Sequence, residues 1–381
     1  EGRFLALTRE FRQRLEEVGG LGEPTAKGVR LHPLAALALE TFAADARTVK
    51  GDADWKAHLQ RLREAEAVQA AAPATLQAEL RDYQAEGFQW LARLAHWGVG
   101  ACLADDMGLG KTVQALALIL NRAPDGPTLV VAPTSVCLNW LDETRRFAPT
   151  LNATVFGGGD REQALARLGA FDLLVCSYGL LQQEAERLAK VRWQTLVLDE
   201  AQAIKNPGAK RSQAALTLRG DFKMMLTGTP IENHLGELWN LFRFINPGLL
   251  GSLEHFNQRF ATPIERDQDA RARHRLRKLI QPFILRRLKS EVLEALPPRT
   301  EILRRVELGA EEMALYEALR QQALARLAKL DGDESQKPLQ ILAEIMKLRR
   351  ACCHPSLVLP DTALGGGKLC GEERSNVGRE P

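Results

Sequence analysis

The run Asp105-Asp106-Met107-Gly108-Leu109-Gly110-Lys111-Thr112 ends in Gly-Lys-Thr, follows the short apolar segment 100–104, and opens a helical stretch over residues 113–120. A strand, a glycine-containing loop and a helix N-terminus, in that order, make a cradle for phosphate. Backbone N–H groups and the helix dipole face the anion, the lysine reaches the outer phosphates, and the threonine hydroxyl is placed for Mg²⁺. The first position, where glycine is usual, holds Asp105. On this run alone, a loop without chemistry remains the alternative.

A second group of residues points the same way. Thr195-Leu196-Val197-Leu198 is an apolar run of strand type that ends in Asp199-Glu200-Ala201-Gln202. Carboxylates at the C-terminal end of a buried parallel strand lie where open α/β sheets bind ligands. Beside a phosphate loop, the first acid suits Mg²⁺ and the second suits orienting and polarising an attacking water. The pair of motifs describes an ATPase-type site, with Lys111, Asp199 and Glu200 as its catalytic groups and Thr112 and Asp199 as its Mg²⁺ ligands.

The elements that must position these residues are legible in the apolar pattern. Over residues 76–250, strand-like runs at 100–104, 128–132, 153–156, 173–176, 195–198 and 224–226 alternate with helical stretches. That alternation predicts a mainly parallel sheet with helices on both faces. Residues 1–75 read as a mostly helical region without a chemical motif, for example over 4–18 and 53–70. From 251 to 360 the pattern is again helical, with apolar residues at helical spacing over 271–280, 310–330 and 340–352. Residues 361–381 read as a disordered or truncated tail.

Further residues carry a family resemblance. Leu80-Arg81-Asp82-Tyr83-Gln84, with Gly87, Trp90 and Leu91, resembles the adenine-recognition segment of helicase superfamily two. Asp-Asp-Met-Gly-Leu-Gly-Lys-Thr, with Asp first, resembles the nucleotide loop of the Swi/Snf-type DNA-dependent ATPases. Ala132-Pro133-Thr134-Ser135 with Asn139-Trp140, and the Asp-Glu-Ala-Gln box at 199–202 followed by Ile204-Lys205-Asn206, are also similar to that family. So are Leu226-Thr227-Gly228-Thr229-Pro230-Ile231-Glu232-Asn233 with Glu237-Leu238-Trp239, Pro282 through Arg287, and Leu348 through Pro355. The similarity covers roughly residues 76–358, in the family's order.

The resemblance implies a RecA-like P-loop lobe of a duplex-DNA-dependent ATPase and translocase that uses ATP and Mg²⁺. Tyr83 and Gln84 would meet the adenine, and Asp106, Met107, Gly108, Leu109, Gly110, Lys111 and Thr112 would hold the phosphates. Gln202, Thr227, Gly228 and Thr229 would couple nucleotide state to the DNA track. An ordinary turn after a strand is the other reading of residues 227–230. The helical stretch 251–360 would be a protrusion bridging two motor lobes. The implied partner is duplex DNA, gripped by its backbone without base readout. RNA polymerase or another DNA-bound protein is the kind of target such a motor remodels.

Composition sets outer bounds. At 381 residues, the chain is long enough for two or three domains. No apolar run approaches the roughly 20 residues that span a bilayer, and no signal-peptide pattern opens the chain, so a cytoplasmic, nucleoid-associated protein without a membrane partner is expected. Six cysteines, at 102, 137, 176, 352, 353 and 370, show no Cys-x-x-Cys spacing. Cys352-Cys353-His354 invites a metal reading, but buried thiols at a helix end fit it better. A net charge of +3 does not by itself indicate nucleic acid. The cluster Arg271, Arg273, Arg275, Arg277, Lys278, Arg286, Arg287 and Lys289 could neutralise backbone phosphates. A solvated helical face, or a structural role for Arg286-Arg287 that ties this segment to the core, stays open.

The resemblance stops near Val358, and a motor of that family has a second lobe whose arginines complete the ATP site. Residues 361–381 are too few for it, so the chain is expected to bind nucleotide and hydrolyse it poorly alone, since an arginine finger contributes about 10³–10⁵ in rate. Alternative readings are a catalytically dead ATP- or DNA-binding remnant and an RNA-directed superfamily-two helicase fragment.

Overall fold

A computed structural model describes residues 23–25, 28–30, 32–35, 53–228, 234–292, 308–328 and 337–360. The chain divides into two compact units, Glu1–Leu296 and Pro297–Pro381. The described elements of the first, in order, are strands β1 (Glu23–Thr25) and β2 (Gly28–Arg30), helices α1 (Ala53–Ala67) and α2 (Asp82–Trp97), β3 (Ala101–Leu103), and α3 (Lys111–Arg122). They continue with β4 (Thr128–Ala132), α4 (Thr134–Phe147), β5 (Asn152–Val155), β6 (Asp172–Ser177), β7 (Arg192–Asp199), α5 (Lys210–Thr217), β8 (Arg219–Leu226), α6 (Leu235–Ile245), α7 (Ala270–Ile280) and β9 (Ile284–Leu285), with shorter helical turns between. The second unit holds the packed helices α8 (Ala310–Ala328) and α9 (Lys337–Cys353), with Arg326 paired to Glu344 at 3.2 Å.

Seven strands form one all-parallel sheet in the order β5-β6-β4-β7-β8-β3-β9. All five residues of β4 are buried, as are Leu196, Val197 and Leu198 of β7 and Met224, Met225 and Leu226 of β8. Continuous apolar strands of this kind are what a sheet covered on both faces demands. Fully burying each Leu or Val side chain stabilises by about 1.5–3 kcal/mol. Helices α2, α3 and α4 pack together, and α5 packs with α6 and the 178–183 turn as a separate group. From β3 and β4 the chain moves toward the β5 edge, and from β6 and β7 toward the β9 edge. Right-handed crossovers therefore send the two groups of helices to opposite faces. The direction reverses between β4 and β7, and sheets of this kind bind their ligands outside the carboxyl ends of the strands.

All six predicted strands are present, and three of them, β6, β7 and β8, are longer than the apolar pattern suggested. β7 begins at Arg192 and β8 at Arg219, because backbone pairing continues through polar residues that the apolar pattern cannot register. Arg192 bonds Asp221 across the two strands at 3.0 Å. Two features depart from the expected helical regions. Residues 23–30 include an antiparallel strand pair, whose three-residue strands are too short to carry a period. Ile284–Leu285, inside the stretch read as helical, is a seventh sheet strand beside Cys102–Leu103. Pro282 ends the preceding helical course, and two residues have no periodicity to recognise. The helix expected over 4–18 and the tail 361–381 lie outside the described residues.

The start of β3 is fixed from α6. Asn246, buried just past that helix, accepts from Gly100 N at 2.9 Å and donates to its carbonyl at 3.2 Å. A side chain at residue 100 would overlap the Ile245 carbonyl, so only glycine allows this approach.

Candidate functional site

The sheet register aligns the chemistry. Leu103 pairs with Leu226 and with Leu285, and Asp199 pairs with Leu226. The loops that follow β3, β7, β8 and β9 therefore leave the same carboxyl edge side by side. They carry the phosphate loop, the acidic box, Thr227 and Arg287.

The phosphate loop runs from the buried Asp105 to Lys111 at the start of α3. Gly108 and Gly110 both have positive φ, 86° and 77°. Gly110 is the residue before the helix, and a Cβ there would strike the Gln84 amide. Lys111 Nζ donates to the Asp105 carbonyl at 2.7 Å and the Asp106 carbonyl at 3.3 Å. The loop thus holds its own cation over the cradle. Leu109 is fully buried, whereas Met107 is 75% exposed at the crest.

Tyr83 and Gln84, at the start of α2, both reach the loop. Tyr83 Oη donates to the Leu109 carbonyl at 3.2 Å and Gln84 Nε2 to the same oxygen at 3.1 Å. Gln84 Oε1 accepts from Arg81 N at 3.0 Å. The residues assigned to the adenine are thus tied directly to those assigned to the phosphates.

Asp105 explains the departure from glycine at the first loop position. Its Oδ1 accepts from the Arg287 backbone at 3.1 Å and from Arg287 Nε at 3.0 Å. Arg287 also donates to the Tyr83 carbonyl and, at 2.8 Å, to Gln114 Oε1, and its guanidinium lies over the Tyr83 ring at 5.2 Å. Arg287 is therefore the structural tie that one of its two sequence readings named. Lys289 N donates to Asp106 Oδ2 at 3.2 Å.

On the acidic side, Asp199 Oδ2 accepts from the indole N–H of Trp140 at 2.8 Å, and Oδ1 accepts from Glu200 N at 2.9 Å. The Tyr178 hydroxyl donates to the Asp199 carbonyl at 2.8 Å. Burial pushes the Asp199 carboxyl above the usual range, against the Trp140 and Glu200 bonds and the Lys111 charge, which favour the ionised form. Burial, with Asp199 and Glu200 nearby, also raises the Tyr178 phenol, which stays neutral as a donor. Glu200 sits at φ 47°, ψ 54°, a left-handed conformation that a non-glycine residue holds only when its surroundings fix it.

Gln202 joins two of the assigned groups. Its Nε2 donates to Glu200 Oε2 at 2.7 Å, and its Oε1 accepts from the buried Thr227 hydroxyl at 3.0 Å. Lys205 pairs with the buried Glu237 of α6 at 3.3 Å, which links the end of the acidic box to the helix beyond the coupling segment. Gly228 follows Thr227 on the same edge. Thr229 lies outside the described residues.

Two residues of the metal side were quoted only for the resemblance or not at all. Trp140 and Glu143 stand one helical turn apart on α4. Burial raises the Glu143 carboxyl, a hydrogen bond with the Thr112 hydroxyl lowers it, and the Asp199 charge raises it again. Their i, i+3 spacing on the helix after β4 was the available signal. Among the described residues no three or more His, Cys, Asp or Glu gather as a metal cage. At the end of α9, Cys352 is half-buried but Cys353 is exposed, which corrects the expectation of buried thiols there. His354 instead caps the following turn by accepting from Ser356 N at 3.2 Å. No described helix is long and apolar enough to cross a membrane.

The SNF2-related domain family matches residues 83–357 of this chain. YwqA of Bacillus subtilis (strain 168), whose name presents it as an ATP-dependent helicase/translocase, is 42% identical over 291 residues, 74% of this chain and 31% of that protein. The ISWI chromatin-remodeling complex ATPase CHR17 of Arabidopsis thaliana is 38% identical over 294 residues, 75% of this chain and 27% of that protein. The chain thus spans about a third of the length of these relatives. Among solved structures, the Sulfolobus solfataricus SWI2/SNF2 ATPase core in complex with dsDNA is 36% identical, with a TM-score of 0.57, covering 81% of this chain and 66% of that one.

Proposed function

This chain belongs to the SNF2-related family, and from that premise we propose that residues 76–250 are the ATP-binding, RecA-like lobe of a duplex-DNA-dependent ATPase and translocase. One observation carries the reading: Leu103 and Asp199 both pair with Leu226, so the phosphate loop and the acidic box leave one sheet edge from the two strands that flank β8. That arrangement suits a nucleoside triphosphate lying across the loop ends, with its terminal phosphates between cation and carboxylate.

The donor set fits Mg²⁺. Thr112 supplies a hydroxyl and Asp199 a carboxylate, both hard oxygen donors. Mg²⁺ is usually held by one or two protein oxygens with phosphates and water completing the shell. When bound, Mg²⁺ supplies charge neutralisation on the phosphate oxygens. Lys111 would exchange the Asp105 and Asp106 carbonyls for phosphate oxygens. Glu200, fixed beside the Gln202 amide, would orient a water and receive its proton. Met107 would lie against the ligand, and Tyr83 and Gln84 would meet the base, Gln84 giving up its bond to the Leu109 carbonyl. Gln202 and Thr227, with Gly228 and Thr229, would pass the nucleotide state to the DNA contacts.

Duplex DNA is the proposed partner, supported by the dsDNA bound to the similar Sulfolobus core. The exposed arginines of α7 are suitable for a backbone contact. A DNA-bound protein such as RNA polymerase is the proposed target, and the nucleoid the proposed location.

The test is nucleotide binding and hydrolysis by this chain, with and without duplex DNA, and with Lys111→Ala as the comparison. Mg²⁺-dependent binding that Lys111→Ala weakens at least tenfold is the expected result. Turnover stimulated by single-stranded RNA and not by duplex DNA would replace the DNA reading with the RNA one. Nucleotide binding indifferent to Lys111→Ala would overturn the site.

A further inference from the structure

We propose that α4 supports the metal side of this site, with Trp140 orienting the Asp199 carboxylate toward a divalent cation. The inference rests on the ATP and Mg²⁺ reading above and adds one positioning residue to it.

Trp140 is 1% exposed, and its ring fills core space between α4 and the sheet. A phenyl ring would fill much of that space. What indole adds is an N–H, which must find an acceptor once buried. Here the acceptor is Oδ2 of the carboxylate at the end of β7, at 2.8 Å. Glu200 N holds the other oxygen at 2.9 Å. With one donor on each oxygen, rotation of the carboxylate about its bond to Cβ breaks a charge-assisted hydrogen bond. The lone pairs that remain point in fixed directions, as a metal ligand requires.

The measurement is the affinity of a fluorescent ATP analogue for the full chain, titrated with Mg²⁺ and repeated in EDTA, for wild type and Trp140→Phe. Removing a partner that orients a metal ligand typically weakens metal affinity about 10- to 100-fold. For Trp140→Phe the Mg²⁺ needed for half-maximal binding should rise about tenfold, with affinity in EDTA unchanged.

A Mg²⁺ midpoint unmoved in Trp140→Phe overturns the proposal. An equal loss of affinity with and without Mg²⁺ does so too, because that is the mark of a purely structural role. Should Trp140→Phe fail to fold by circular dichroism, the wild type decides: adding Mg²⁺ to the nucleotide complex should shift the Trp140 indole N–H resonance, and an unmoved resonance overturns the proposal. Wild-type protein that binds no nucleotide, or binds it regardless of Lys111→Ala, would overturn the ATP reading and this proposal together.

Discussion

Asp105 and Arg287, 182 residues apart in sequence, form a buried ion pair beneath the phosphate loop, the aspartate fully buried and the arginine side chain 12% exposed. The pair joins the loop after β3 to the loop after β9. It also gathers Gln114 of α3 and the Tyr83 carbonyl of α2 around one guanidinium. Taking away one member of a buried pair leaves an uncompensated charge and costs about 3–5 kcal/mol. Arg287→Ala should therefore lower unfolding stability by about that amount. Adding Asp105→Gly, which restores the more usual loop residue, should recover part of the loss. Urea unfolding of the two single variants and the double variant checks this, because contacting residues give a coupling of roughly 0.5–3 kcal/mol. Additive losses would show that the pair is not coupled.

Gly87 sits where α2 passes this same cluster. A Cβ built there overlaps Gln114 Oε1 and meets Arg287 Nη2 at 2.8 Å. Gly87→Ala ordinarily favours a helix by roughly 1 kcal/mol, yet here it must displace Gln114 or the arginine. We expect a net loss of stability of about 1–3 kcal/mol, the usual range for overpacking. Nucleotide affinity should fall with it, since Tyr83 and Gln84 begin the same helix. A more stable Gly87→Ala protein would contradict the packing.

Glu184 offers a prediction apart from the nucleotide loop. Its buried carboxylate is bonded to Arg187 at 2.6 Å and Arg161 at 2.5 Å. Arg187 above all, with Arg161, holds the Glu184 carboxyl below the usual range, against the effect of burial. A folded value below the unfolded one means the carboxylate stabilises the protein at neutral pH. That stabilisation is complete above about pH 5 and is lost as pH falls below the unfolded value of about 4.3 and through the folded one. Glu184→Gln should therefore be less stable than wild type at pH 7, and the difference should shrink as pH falls from 5 toward 3. Thermal melts across that range test it, and nucleotide affinity at pH 7 should not change.

The sheet was legible because its central strands are buried on both faces and therefore apolar without interruption, as 128–132 and 195–198 are. The β9 strand was not, because Ile284 and Leu285 are two residues whose strand character comes wholly from pairing with Cys102 and Leu103. The site divides along the same line. Lys111, Thr112, Asp199 and Glu200 are adjacent in two short motifs, so local sequence shows them. Trp140 and Glu143 are linked to those motifs only through the packing of α4, and a tryptophan in an amphipathic helix otherwise reads as core. The two readings left open for Arg287 were a surface phosphate contact and a tie to the core. Its buried partner, Asp105, decides between them; in the sequence that residue stands out as an exception to the usual loop pattern and as a mark of the family resemblance, with nothing to show its partner.

The link from Glu200 through Gln202 to Thr227 gives the coupling proposal a concrete test. Gln202 is amide donor to one and amide acceptor from the other, at 2.7 and 3.0 Å, so a shift of either loop reaches the other through one side chain. Thr227 is fully buried at the end of β8, and its amide donates to the Leu103 carbonyl at 3.2 Å. Thr227→Val keeps the volume and that backbone bond while deleting the hydroxyl. The lost hydrogen bond to the half-buried Gln202 amide should cost about 1 kcal/mol in stability. Nucleotide affinity without DNA should stay within about twofold, because neither Lys111 nor Asp199 is touched. Duplex DNA and nucleotide should then cease to strengthen each other's binding, a coupling that is normally about 1–3 kcal/mol and reciprocal. Titrating nucleotide at zero and saturating DNA in wild type and variant measures that quantity directly. A coupling equal in both proteins would mean that the signal does not pass through Gln202 and Thr227.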